Sequence, residues 1–187
     1  MRWEIPRIPA KRGHEKQIQL LNFLIRLNIF AIPLYVILIF DLSLPGLQKL
    51  IADFTYYLLA LAEMNPTIND LFISIPIKDG TWGAFINWDC TGWKSMLAFF
   101  ALVAAVDRKS NVKLKGLAIF IPLIFIINII RIFFMFFYVR TFDLAYFEIV
   151  HAAVWSWGLI IVVLVFWVIW MKRFWKIDTK AKKKTQF

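Results

Sequence analysis

Apolar residues in this chain come in long, nearly unbroken runs separated by short polar stops. Residues 20–40 form the first run, and its length predicts a membrane-crossing helix, kinked at Pro33. Asp41 to Gly46 breaks it. Leu47, Leu50, Ile51, Phe54, Leu58 and Leu61 then recur at helical spacing, with Lys49, Asp53 and Glu63 on other faces. That segment is too short to cross, so it is expected at the outer interface or as a re-entrant helix. Between Asn65 and Asp89 the character changes. Residues 71–75 have strand propensity, Lys78-Asp79-Gly80 signals a turn, and 82–88 reads as a returning strand. Further spans are predicted over about 89–106, 116–139 and 149–171.

Charge sets the orientation. The net charge of +10 sits at the two ends and in one loop, Arg108, Lys109, Lys113 and Lys115. Four spans with both termini cytoplasmic put every basic segment inside. A fifth span over 47–62 would place the basic loop and tail outside. The expected fold class is therefore an all-α integral membrane helix bundle of four transmembrane helices, plus the outer interfacial or re-entrant helix and a small extracytoplasmic hairpin. Its parts are a basic leader over 1–19, one membrane domain over 20–171 with an outer segment at 41–88, and a basic tail over 172–187. The first run is read as an uncleaved anchor. Trp82, Trp88 and Trp93 at one level, and Trp167, Trp170 and Trp175 at the other, suggest aromatic belts. Of 187 residues, 61% are apolar, more than a soluble domain of this size can bury. The basic clusters read as topological, with no nucleic-acid partner expected. A lone cysteine excludes an internal disulfide and a multi-thiolate metal site. His14 lies in the leader, so little remains to bind zinc, and no cofactor or metal is expected.

Three residues stand out. Arg131 lies within a span, where a guanidinium costs at least a few kcal/mol and must face protein or a water-filled pocket. It serves either a site or a structural bond to loop carbonyls. Asn128, on the same helix face, is a candidate partner for it. Cys90, in Asp89-Cys90-Thr91-Gly92, opens the second span. It reads as an apolar filler or as a nucleophile whose pKa is lowered by the helix N-terminus and by Lys94, against Asp89. Lys94 equally suits snorkelling to the headgroups. His151 opens the last span, where Glu148 could orient its ring, and Gly158 would let another helix approach. Arg131 falls roughly 22 Å from the inner boundary of a ~30 Å core. On the charge-derived topology all three then lie in the outer leaflet.

Cys90-Thr91-Gly92 before a span, Asn128-Ile129-Ile130-Arg131 inside the next, and His151 opening the last resemble the signature of the exosortase/archaeosortase family. The resemblance covers about residues 85–160 and implies a compact integral-membrane cysteine transpeptidase. Such enzymes cleave, on the outer side of the membrane, proteins bearing a C-terminal tripartite sorting signal: a motif, a hydrophobic helix and a basic cluster. The archaeal branch is thought to transfer the new C-terminus to a membrane lipid. By this resemblance Cys90, Arg131 and His151 are catalytic, with Asn128, Thr91, Gly92, Lys94 and Glu148 in support. A thiol-dependent membrane acyltransferase and a non-enzymatic membrane assembly protein are the competing readings.

Overall fold

Pro33 divides the first apolar run. Proline lacks an N–H, and its ring would strike the carbonyl of Ile29 in an unbroken helix. The computed structural model describes residues 12–78, 80–142, 146–152 and 157–184, without the side chains of 12–14 and 174–184. In it α1 (Arg12–Phe30) stops before Ala31, and α2 (Ile32–Ile39) restarts with proline in its first turn. Of the predicted basic leader, Arg2, Arg7 and Lys11 lie outside the described residues, as do Asp79 of the turn signal and the side chains of His14 and Trp175.

The amphipathic segment is α3 (Pro45–Leu61). Ile51, Ala52, Thr55 and Leu59 are buried, while Leu50, Phe54, Tyr57 and Leu61 remain exposed. A sheet follows, made of β1 (Thr67–Asn69), β2 (Phe72–Ile77) and β3 (Gly80–Phe85), antiparallel in that order. The expected hairpin is β2 and β3, with Ile75 opposite Trp82 and Ile73 opposite Ala84. β1 makes it a three-stranded sheet, so the all-α expectation is corrected to a helical protein carrying a small β subdomain. Ile73 and Ile75 point into a core with Ile51, Leu59, Ile132 and Phe136, which roots the sheet on the helices.

The remaining helices are α4 (Trp93–Ala105), α5 (Ser110–Thr141), α6 (Phe147–Ala152) and α7 (Leu159–Lys184). α4 packs against α1, α5 and α7. Phe99, Val103, Phe120, Ile124, Val163 and Trp170 form a second core at the end away from the sheet. The Lys113 ammonium donates to the Ala104 carbonyl at 2.7 Å and so closes the C-terminal turn of α4. Among the described residues, 15–39 and 110–141 are long and apolar enough to cross a membrane, whereas α4 has only 13 residues.

Two expectations about packing change. Trp170 is 1% exposed and Trp93 5% exposed, so both are core residues rather than members of a lipid-facing belt. A side chain at Gly158 would meet nothing within 4 Å among the described residues, whereas one at Gly116 would overlap the Trp170 indole. The close helix approach is thus α5 on α7 through Gly116. Gly116→Ala is expected to lower stability by about 1–3 kcal/mol, because overpacking a rigid indole forces the two helices apart. Thermal unfolding in detergent reads this out, with Gly158→Ala as the control that should not lose stability.

Candidate active site

Residues 87–92 build a tight support for the single thiol. Asn87 precedes a 3-10 turn (Trp88–Thr91), and its Oδ1 accepts the Cys90 N–H at 3.0 Å. The same N–H is shared with the Asn87 carbonyl at 3.1 Å, so both oxygens of Asn87 close the turn. The Cys90 thiol donates to the same oxygen at 3.0 Å. Thr91, fully buried, anchors the turn by donating from Oγ1 to the Trp88 carbonyl at 2.8 Å. Gly92 has φ of 72°, in the left-handed region. It also lies against Asn128: a Cβ there would come within 2.9 Å of the carboxamide carbon. Asn128 reaches across from α5 and donates from Nδ2 to the Cys90 carbonyl at 2.8 Å, while its Oδ1 has no hydrogen-bond partner among the described residues. Asn128 therefore holds the cysteine backbone, not the Arg131 guanidinium as the shared helix face suggested.

One turn further along α5, Arg131 is 7% exposed, as is Cys90. Its charge acts on both Cys90 and His151. His151 arrives on α6, its ring stacked on Phe147 with centroids 5.5 Å apart and an interplanar angle of 17°. Phe147 meets the edge of Trp82, which in turn meets Phe136. Cys90 and His151 line one cavity of about 390 Å³, together with Trp82, Phe85, Asn87 and Phe136; Ile132 is on its wall, and Arg131 is not. The structure thus brings the thiol and the imidazole to one space, with the guanidinium packed beside it. The predicted second span shifts accordingly, Cys90 preceding α4 rather than opening it, while His151 lies on α6.

A family model for transmembrane exosortases matches residues 14–171. The chain belongs to the transmembrane exosortase family. It is also 48% identical over 42 residues to Archaeosortase A of Haloferax volcanii, a match covering 22% of this chain and 14% of that protein. The match thus spans about a seventh of that relative's length. No solved structure matches. Family membership and the two long apolar helices make this exosortase a membrane protein.

Electrostatics in the exosortase cavity differ from the sequence expectation. Lys94 does not favour the thiolate: its ammonium pairs with Asp89 at 2.7 Å, and both groups are about half exposed. Cys90 and His151 both lie outside the two long apolar helices. Burial pushes the Cys90 thiol up; a backbone hydrogen bond at Asn87 and the Arg131 charge pull it down, and Asp89 adds to the rise. The result is a raised pKa, not the lowered one expected from a helix N-terminus. His151 is shifted down, first by burial and then by Arg131, which favours a neutral ring able to accept a proton. Glu148 is exposed, and the aromatic contact on the ring comes from Phe147.

Asn87, Trp82 and Phe147 are the site residues that pattern reading passed over. Asn87 carried a usable signal, an Asn three residues before the cysteine, which is the spacing of an N-cap. Trp82 and Phe147 carried none, because their meeting depends on how the sheet seats against α5 and α6. The electrostatics predict that alkylation of Cys90 in detergent has a midpoint above that of a free thiol, about 8.5. Arg131→Met should move the midpoint higher still, since it removes a charge that favours thiolate, and Asp89→Asn should move it lower. A parent midpoint well below 8.5 would contradict this account.

Proposed function

We propose that this exosortase is a cysteine transpeptidase that cleaves the C-terminal sorting signals of surface proteins on the extracytoplasmic side and passes the new C-terminus to a membrane-lipid acceptor. The observation that carries the reading is that Cys90 and His151 line one cavity, within the field of Arg131, in a chain of this family.

The chemistry follows from the resting state. With thiol and imidazole both neutral, His151 takes the proton as Sγ attacks the scissile carbonyl. The C–S bond forms, and the carbonyl oxygen becomes an oxyanion that Arg131 stabilises in a low-dielectric setting. Collapse breaks the C–N bond, and His151 returns its proton to the leaving amine. The acceptor hydroxyl or amine then attacks the thioester; C–S breaks, and the acceptor's proton passes through His151 back to sulfur. Asn87, Asn128, Thr91 and Gly92 position the nucleophile. Lys94 shields the cavity rim from the Asp89 charge.

The proposed topology has four spans, α1–α2, α4, α5 and α7, with both termini cytoplasmic. The basic residues Lys109, Lys113 and Lys115 at the start of α5 support it, because Arg131 stands 18 residues beyond Lys113, about 27 Å along the helix. The basic end and the cavity end are thus far enough apart to lie on opposite sides of a membrane.

Hydroxylamine tests the reading, since it intercepts a thioester. Added to membranes in which the exosortase meets its host's surface proteins, it should release peptide hydroxamates ending where the sorting signal was removed. Fatty hydroxamates would instead establish an acyltransferase. Release of neither would leave a protein of membrane assembly and sink the transpeptidase.

A further inference from the structure

The strand next to the nucleophile has a free edge, and its phase can be worked out. Among the described residues, β3 is the last strand of the sheet and pairs with β2 alone. The Ile86 N–H donates to the Leu71 carbonyl at 2.8 Å. In an antiparallel ladder, hydrogen-bonded pairs alternate with non-hydrogen-bonded ones. Given the register, Ala84, Trp82 and Gly80 therefore turn their backbone groups toward Ile73, Ile75 and Ile77 of β2. Thr81, Gly83 and Phe85 turn theirs outward. Pro76 agrees with this phase: it lies opposite Thr81 in a pair where β3 asks for no donor, so its missing N–H costs no β2–β3 bond.

The outward edge leads to the thiol. The Phe85 carbonyl accepts the Asn87 N–H at 3.1 Å and lies 3.9 Å from Cys90 Sγ. Thr81 and Phe85 are exposed, and Gly83 between them is half-buried, with the Phe72 ring over one face and no side chain of its own at the edge. Trp82 and Ala84 put their side chains on the wall of the cavity that holds Cys90 and His151. Among the described residues, no backbone partner is seen for the outward groups of Thr81 and Gly83, and the row they start ends at the Phe85 carbonyl beside the nucleophile.

We propose that β3 is the substrate-docking strand: an extended segment of the polypeptide flanking the scissile bond adds to the sheet by pairing with Thr81 and Gly83, which sets the scissile carbonyl over Cys90. This rests on the transpeptidase reading and specifies how its substrate is held. Backbone pairing supplies affinity without reading sequence, and the Trp82 and Ala84 face of the cavity reads alternate side chains. A segment so bound must be extended, so a helical stretch of the substrate must unwind before cleavage.

The test uses peptide electrophiles against the full-length protein in detergent, with chloroacetone as the small reference. An acetyl-tetraalanyl chloromethyl ketone alkylates a thiol with loss of chloride, forming a thioether and releasing the thiol proton. It should modify Cys90 at least tenfold faster than chloroacetone does. N-methylation at successive alanines should then slow it with a period of two: roughly fivefold at positions whose N–H meets β3, and hardly at all at those between. Equal slowing at every position, or no advantage over chloroacetone, would overturn strand docking while leaving the cysteine enzyme standing. If chloroacetone itself reacts at the same slow rate with the parent and with His151→Ala, the catalytic reading fails, and the docking proposal fails with it.

Discussion

Cys90→Ala is expected to reduce signal removal by roughly a thousandfold or more while leaving the fold intact. Loss of a covalent nucleophile removes the whole two-step route, and the other members of a catalytic set recover little of it. The fold should survive because the cap on the turn is a backbone bond: the Asn87 side chain still accepts the N–H of residue 90, and Asn128 still holds its carbonyl. What disappears is the thiol bond to Asn87, with about 1 kcal/mol at stake. Mass spectrometry of surface-protein C-termini, compared between cells carrying the parent and the variant, measures the effect. Equal processing in both would dispose of Cys90 as the nucleophile, whatever the family.

The second large effect is expected from a residue with no reactive group. Gly92→Ala should cut activity more than tenfold. An L-residue in the left-handed region costs about 1–2 kcal/mol. Its methyl would also displace Asn128, which is fully buried, from the Cys90 carbonyl, and a buried unmade hydrogen bond costs about 1–3 kcal/mol. Combining Gly92→Ala with Asn128→Ala separates the two causes. The double variant relieves the overlap but keeps the backbone strain, so it should be less than additive. Strict additivity, with a normal rate for Asn128→Ala alone, would mean that the tie from α5 does not position the thiol.

Much of this was legible in the chain because it rests on local rules. Pro33 marks the break between α1 and α2, and the spacing from Leu47 to Leu61 marks α3. The β-branched residues around Ser74, with Gly80 after them, mark the hairpin. β1 escaped notice because a Thr-Ile-Asn strand is too short to display alternation, and it forms only when β2 offers a partner. The meeting of Cys90 with His151 was anticipated as a common depth, which charge bias alone supplies. How each residue is held was not. Lys94 and Asn128 were placed by helix periodicity beside Cys90 and Arg131, yet Asp89 captures the one and the Cys90 carbonyl the other. Trp170 looked like an interfacial residue because hydropathy does not show that Gly116 opens a slot for it.

The shortness of α4 has a consequence for the fate of the proposed thioester. Its 13 residues rise about 20 Å, against a hydrocarbon thickness of about 30 Å. On the proposed four-span topology it would begin short of the outer face, so the 3-10 turn that precedes it would hold sulfur at a recessed level, where bulk water is dilute and headgroup hydroxyls and amines are concentrated. Under the proposed transpeptidase reading, an acyl group parked there would partition toward transfer rather than hydrolysis. Acceptor choice is then set by immersion depth: lengthening α4 by one turn should raise the fraction of free carboxyl product without altering a single group that touches the substrate.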